Sequence, residues 1–347
     1  MSKLFSLEVA EVRRETADAV SIRFDLPAAL APTFVFRPGQ YLTVQSDAGR
    51  RCYSICAAPE DDELRIAVKQ VPGGAFSGFA NTQLRAGMRL DVAPPEGNFT
   101  LPAEMPQAGR FLAIAAGSGI TPVLSIIKAA LQQQPHCQVA LLYGNRQSGD
   151  ILFLEALEDL KNRYLGRFTL LHVLSREAQD VPLRHGRISA ETIRIFAAQL
   201  GGIDQAFICG PAGLTNMARA SLQALGLAPE RISTELFLAP DQPATAAPAP
   251  RAQAAAEIEA VLDGQRLRFG FAADDAGIVD AALRQGLELP YSCKGGMCCT
   301  CRAKLVEGEA EMALNYSLQP WEIAAGFVLA CQARPKSARL VLDFDHV

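Results

Sequence analysis

Between residues 7 and 92 hydrophobic and polar positions alternate in short runs, such as 19–24, 41–44 and 64–68, with turn residues between them. A period of two turns one strand face to a core and the other to water, and several such runs predict a small antiparallel β-barrel. The pattern changes near Gly109. Residues 111–116 form a continuous apolar run, expected of a parallel strand covered on both faces, and Gly117-Ser118-Gly119-Ile120-Thr121-Pro122 then opens an apolar helix toward Leu131. Strands expected over 139–143, 168–174 and 206–208 alternate with helices over 151–163, 190–200 and 213–225, which predicts a doubly wound α/β domain. Residues 239–256, rich in Ala, Pro and Gln, read as a semi-extended linker. Short strands (258–262, 267–271), a helix (278–285) and a cysteine-rich loop follow as a compact module. The chain is thus expected to be multidomain: a barrel over 1–106, an α/β domain over 107–238, a linker over 239–256 and an α+β module over 257–347.

Composition narrows the function classes. A length of 347 residues suits two or three domains with cores of their own. A net charge of −4 without a Lys/Arg-rich run argues against nucleic-acid binding. The N-terminus carries Glu8 and Glu11 and no apolar signal region, so nine cysteines point to a reducing compartment. The uncharged stretch 111–127 is broken by Gly117-Ser118-Gly119 and Thr121-Pro122, which fits a buried strand, turn and helix start better than a membrane span. The expectation is a cytoplasmic protein that binds neither nucleic acid nor membrane.

The strongest chemical signal is Cys293-Lys294-Gly295-Gly296-Met297-Cys298-Cys299-Thr300-Cys301. Cys293, Cys298 and Cys301 make C-x4-C-x2-C, and Cys331 follows as a fourth thiol. That is the ligand spacing of a plant-type [2Fe–2S] cluster. Gly295 and Gly296 are expected to supply the positive φ that a wrapping loop needs, and Thr300 a hydroxyl donor. Zinc prefers two C-x2-C-like pairs and only one is present. Cys299 remains a neighbour, although a register that uses it stays open.

Other signals are weaker alone. Arg51 and Tyr53, two apart on a strand, share a face and suit a flat heterocycle bearing phosphates. They equally suit an ordinary half-buried strand. Gly73-Gly74-Ala75-Phe76-Ser77 is a loop whose amides could cradle a pyrophosphate, or a plain turn. Gly117 and Gly119, between a buried strand and a helix, form a phosphate or dinucleotide site in outline. Cys209-Gly210-Pro211 stands at another strand end, where α/β folds bind ligands.

Taken together, Arg51-x-Tyr53-Ser54, the 73–77 loop, the Gly117–Pro122 turn and Cys209-Gly210-Pro211 resemble the ferredoxin–NADP reductase superfamily. The C-terminal module resembles a plant-type ferredoxin of β-grasp fold. Tyr143-Gly144-Asn145-Arg146 and Asn315-Tyr316-Ser317-Leu318 add a resemblance to reductase subunits of ring 1,2-phenylacetyl-CoA epoxidases. The resemblance implies an FAD- and [2Fe–2S]-dependent NAD(P)H oxidoreductase that feeds the di-iron oxygenase subunits of a multicomponent epoxidase in phenylacetate catabolism. It implies that Tyr53 stacks on the isoalloxazine and Ser54 bonds near its N5. Arg51 would meet the FAD pyrophosphate with the amides of Gly74, Phe76 and Ser77. Thr121, Cys209 and Gly210 would border the nicotinamide, and Glu235 and Phe237 would close the flavin pocket, with Tyr53, Ser54 and Cys209 as the catalytic set. Ser175 and Arg176, after strand 168–174, stand where a 2′-phosphate would lie and favour NADPH over NADH, while Glu177 argues the other way. An NADH-dependent reductase of a Rieske-type dioxygenase uses the same parts. A redox sensor without turnover is the alternative from another class, and no signalling element is visible for it.

Overall fold

The computed structural model describes residues 3–46, 49–102, 106, 108–236, 256–291, 294–318 and 320–346. Phe237, Cys293 and the expected linker, apart from its last residue Ala256, lie outside them. The chain divides into two compact units, a larger one with most of the barrel and the α/β domain, and a smaller one with the C-terminal module and the short segment Gly49–Cys52.

The barrel consists of β1 (Phe5–Thr16), β2 (Ala19–Asp25), β3 (Tyr41–Ser46), β4 (Gly49–Ser54), β5 (Leu64–Lys69), α1 (Ala75–Thr82) and β6 (Arg89–Val92), with strand order β4-β3-β6-β1-β2-β5. Leu7, Val9, Ile22, Phe24, Leu42, Val44, Ile66 and Val68 point inward and are buried. The sheet edges meet where Ile55, just past β4, bridges Ile66 on β5. Closure removes the exposed edges that would otherwise pair with another chain.

The α/β domain runs β7 (Arg110–Ala116), α2 (Ile120–Gln133), β8 (Gln138–Asn145), α3 (Leu154–Arg163), β9 (Phe168–Leu174), α4 (Ala190–Leu200), β10 (Gln205–Gly210), α5 (Ala212–Ala224) and β11 (Ile232–Leu236). All strands are parallel in the order β11-β10-β7-β8-β9, so the winding reverses between β7 and β10. Crevices at such reversals bind ligands at the carboxyl ends of the strands. One core layer joins the sheet to α2 and α3 through Val123, Leu124, Ile127, Leu157 and Leu160; the other joins it to α4 and α5 through Ile193, Phe196, Ala218 and Leu222. The expected helix at 151 begins later, at Leu154, because Phe153 takes a left-handed φ of 59° after a 3-10 turn over Ser148–Asp150.

The C-terminal module comprises β12 (Ala256–Leu262), β13 (Gln265–Phe271), α6 (Ile278–Arg284), β14 (Arg302–Glu307), β15 (Ala310–Met312), α7 (Pro320–Ala324), β16 (Phe327–Leu329), β17 (Ala333–Pro335) and β18 (Arg339–Asp343). The main sheet is mixed, in the order β13-β12-β18-β14-β16, and β15 and β17 pair separately. Ile278, Val279, Ala281 and Ala282 of α6 belong to the same buried cluster as Ile258, Ala260, Phe269, Leu340 and Leu342.

Candidate cofactor sites

In the parallel sheet, register places Glu235 beside Cys209, Cys209 beside Ala115, Ala115 beside Tyr143 and Tyr143 beside His172. One row thus crosses the carboxyl ends of all five strands. Cys209 is wholly buried, and burial pushes its thiol well above its ordinary range, with the neighbouring Glu235 charge adding to the shift. Tyr143 donates its phenol to the Gly117 carbonyl at 2.9 Å, and Thr121 donates its hydroxyl to the Ser118 carbonyl at 2.9 Å. These bonds hold the glycine turn by its oxygens. Gly119 is required by packing: a Cβ there would lie 2.3 Å from the Cys209 carbonyl oxygen. Gly117 takes a φ of +53°, and Gly210 ends β10 against Ala116.

On the barrel side, β4 ends in half-buried Tyr53 and buried Ser54, with Arg51 exposed on the same strand. The Tyr53 ring lies 5.3 Å from that of Phe76 at an interplanar angle of 42°. The expected 73–77 loop is a helix start: Gly74 caps α1, so Ala75, Phe76 and Ser77 already lie in its first turn. Ser77 accepts from the Val71 amide at 3.2 Å and donates to the Gly74 carbonyl at 3.3 Å, which pulls the turn into the helix. A helix N-terminus still presents amides to an anion, now backed by the positive end of its dipole.

Ser54 hydrogen-bonds to Glu235, while Glu235 Oε2 is shut off from solvent without a partner among the described residues. Burial raises this carboxyl to about 8, with the Ser54 bond opposing the rise. A proton-bearing acid therefore stands beside Ser54 and Cys209 at neutral pH. The orphaned oxygen and the half-buried Tyr53 ring fit a polar, planar ring system such as a flavin.

At the ends of β8 and β9, the Ser175 amide donates to the Asn145 carbonyl at 3.0 Å and the Arg176 amide to that of Arg146 at 2.7 Å. Arg146 and Arg176 are thereby neighbours, both exposed. In the sequence Arg146 figures only as the end of the Tyr143–Arg146 motif, and strand pairing reveals it beside Arg176. Glu177 Oε2 accepts from the Ser148 amide at 2.7 Å and its hydroxyl at 2.8 Å, bonds that lower its pKa.

In the smaller unit, Cys301 and Cys331 are buried and Cys298 and Cys299 are half-buried. The Cys331 amide lies 3.5 Å from Cys301 Sγ. The Cys301 thiol is pushed well up by its bond to Cys331, by burial and by the charges of Cys331 and Cys298, as expected of sulfurs crowded in one small space. Among the described residues no three metal-ligating groups close to coordination spacing, the remaining expected ligand, Cys293, lying outside them. The loop does wrap as a cluster loop must: Lys294, Gly296 and Cys299 have φ of 50°, 74° and 57°. The expectation for Gly295 is corrected, since Lys294 and Cys299 take left-handed conformations and Gly295 does not. Gly296 is needed for close approach, because a Cβ would lie 2.8 Å from the Leu314 carbonyl oxygen. An all-thiol donor set, with the Cys331 amide directed at Cys301 Sγ, fits a [2Fe–2S] cluster.

Among the described residues no helix is long and apolar enough to cross a membrane. Two family models match, the oxidoreductase NAD-binding domain over residues 113–220 and the 2Fe-2S iron-sulfur cluster binding domain over residues 260–336. The chain is 44% identical to a subunit of the 1,2-phenylacetyl-CoA epoxidase of Escherichia coli K12, over 99% of both chains. It is 36% identical to the ferredoxin reductase component of 3-ketosteroid-9-alpha-monooxygenase of Rhodococcus rhodochrous, over 99% of this chain and 97% of the other. Its fold matches phthalate dioxygenase reductase, a modular structure for electron transfer from pyridine nucleotides to [2Fe–2S], with a TM-score of 0.62 at 23% identity over 98% of each chain. With its antiparallel flavin domain, parallel nucleotide domain and C-terminal ferredoxin domain, the chain belongs to the ferredoxin-reductase family of FAD- and [2Fe–2S]-containing oxidoreductases that carry electrons from a nicotinamide nucleotide to oxygenases.

Proposed function

We propose that this chain is the NADPH-oxidising reductase of a phenylacetyl-CoA epoxidase, acting in the cytoplasm and delivering electrons to a di-iron oxygenase. The observation that carries the reading is the 44% identity to the epoxidase subunit across the whole chain. Within it, Arg51, Tyr53, Ser54, Gly74, Phe76, Ser77, Glu235 and Phe237 hold the flavin. Gly117, Gly119, Thr121, Cys209 and Gly210 receive the nicotinamide and its pyrophosphate. Cys293, Cys298, Cys301 and Cys331 hold the cluster. A bound flavin accepts a hydride's two electrons and passes them on singly, which a one-electron cluster requires. The chain's own part is orientation and proton supply. Tyr53 and Phe76 offer a ring face, and Cys209 keeps the inner wall dry. Ser54 orients the Glu235 carboxyl, which can hold or give up a proton near neutral pH.

NADPH is favoured because Ser175 and Arg176 stand at the end of β9 with Arg146 adjacent, while Glu177 is occupied by Ser148. Two guanidiniums suit a phosphate monoester, and a carboxylate already engaged is poorly placed for ribose hydroxyls. The test is reconstitution: mixed with NADPH, oxygen, phenylacetyl-CoA and the di-iron oxygenase, the chain should drive ring-epoxide formation. Efficient turnover of a Rieske dioxygenase instead, with NADH as the better donor, would replace this reading by the Rieske one.

A further inference from the structure

Helix α2 is apolar and buried over most of its length, yet one stripe of it is polar. Thr121, Ser125, Lys128 and Gln132 recur at the spacing that lines up one helix face. Thr121 leads the stripe at the glycine turn, and the other three are fastened to the barrel. Ser125, fully buried, donates to the Ala57 carbonyl at 2.6 Å and accepts from the Gly39 amide at 3.3 Å. Lys128 Nζ meets Asp61 Oδ2 at 2.7 Å, and Gln132 reaches Asp61 Oδ1 at 3.4 Å. Asp61 in turn accepts from the Ala58 amide at 3.0 Å, which fixes its own loop. Gly39 admits the helix closely, since a Cβ there would lie 3.0 Å from Ile126 Cδ1 as well as 2.0 Å from the Phe99 carbonyl oxygen.

Ala57 to Asp61 continues directly from β4 through Ile55, whose amide donates to the Gln40 carbonyl beside Gly39. The same few residues therefore tie together the strand end bearing Tyr53 and Ser54 and the helix whose first turn bears Thr121. We propose that Ser125 and the Asp61–Lys128 pair are positioning residues for hydride transfer: they set the spacing between the flavin-holding strand and the nicotinamide-holding helix turn. The inference rests on the site assignment proposed above. Hydride transfer from the nicotinamide C4 to the flavin N5 is a short-range step, in which a misplacement of about 1 Å can cost on the order of 100-fold in rate. A polar staple is suited to this task because its bonds have a defined length and direction, which the apolar packing around it lacks.

The test uses the full holoprotein mixed anaerobically with NADPH, following flavin bleaching and the long-wavelength absorbance that stacked nicotinamide and flavin rings give. Ser125→Ala should slow flavin reduction about 10-fold and weaken that absorbance, while the apparent Kd for NADPH changes less than about twofold. Exchange of the Gly39 amide should quicken, which reports the lost bond independently of turnover. Ser125→Thr, which keeps the hydroxyl, should recover most of the rate. If Ser125→Ala sheds its flavin, Lys128→Met carries the test, with a drop of about threefold expected. An unchanged rate and absorbance together with faster Gly39 exchange overturns the inference. Ser54→Ala in the same assay separates the two levels: if it too leaves the rate untouched, the site assignment fails and this inference with it. A slow Ser54→Ala beside a normal Ser125→Ala defeats the staple alone.

Discussion

Two glutamates, half-buried Glu235 on β11 and buried Glu259 on β12, meet opposite fates. Glu235 has one hydroxyl partner and an orphaned oxygen, and burial raises its carboxyl to about 8. Glu259, 1% exposed, lies under Arg266, Arg268 and Arg339, with Arg268 Nε at 3.1 Å and Arg339 Nη2 at 3.3 Å. The Arg266 bond, followed by the charges of Arg268 and Arg266, lowers its pKa against the opposing effect of desolvation. A carboxylate that serves the scaffold is surrounded by cations and kept ionised. One left under-partnered can hold a proton, as the role proposed for Glu235 requires.

The sharpest way to break this contrast is Glu235→Gln. Flavin reduction should fall by about 100-fold while FAD stays bound, because the amide keeps the Ser54 contact and loses the exchangeable proton. In the parent, reduction should decline as pH rises through about 8, where Glu235 deprotonates. A rate that is flat across that range would remove Glu235 from the proton path.

Folding stability should show the opposite signs directly. For Glu235 the folded value is raised, so its contribution is fully present below the ordinary 4.5. It is lost as pH climbs from there through about 8, by up to about 1.4 kcal/mol per pH unit in flavin-free protein. Glu259 has a lowered folded value, so it supports folding above 4.5 and loses that support on acidification below it. Trp321, the chain's one tryptophan, lies in the C-terminal module and reports that module's unfolding. Glu259→Gln should reduce the acid sensitivity of the Trp321 signal and lower its melting temperature by several degrees. No change in either would show that the three arginines merely cover the carboxylate.

A third glutamate gives the smallest effect. Glu177 is tied by the amide and the hydroxyl of Ser148, and Ser148→Ala, which removes the hydroxyl bond and keeps the amide bond, should loosen it to compete with Arg176, lowering the NADPH-to-NADH preference about threefold. Arg176→Ala should cost about 10-fold in NADPH affinity and leave NADH nearly unaffected. Equal losses for both nucleotides would place the 2′-phosphate elsewhere.

Much of the fold was legible because burial imposes periodicity. The alternating runs became the barrel, and the unbroken 111–116 run became the central strand β7, covered on both faces. The Gly117-Ser118-Gly119 turn was legible because a Cβ at Gly119 would strike the Cys209 carbonyl. What stayed hidden depends on contacts distant in sequence. Ser125 and Lys128 look like ordinary helix residues until Ala57 and Asp61 are brought against them. The start of α1 at Ala75 follows from Ser77 bonding back to Val71. Left-handed Lys294 and Cys299 were unforeseen because propensity assigns that role to glycine, and only the demands of the cysteine loop override it.

The central claim is that electrons pass from nucleotide to flavin to cluster within one chain. Anaerobic rapid mixing of the holoprotein with one equivalent of NADPH, followed optically and by freeze-quench paramagnetic resonance, tests it most directly. Flavin bleaching should come first and a reduced [2Fe–2S] signal should follow, and Cys331→Ser should bleach at the same rate without the second signal. A cluster signal that rises before the flavin bleaches, or an unaltered signal in Cys331→Ser, would contradict the account.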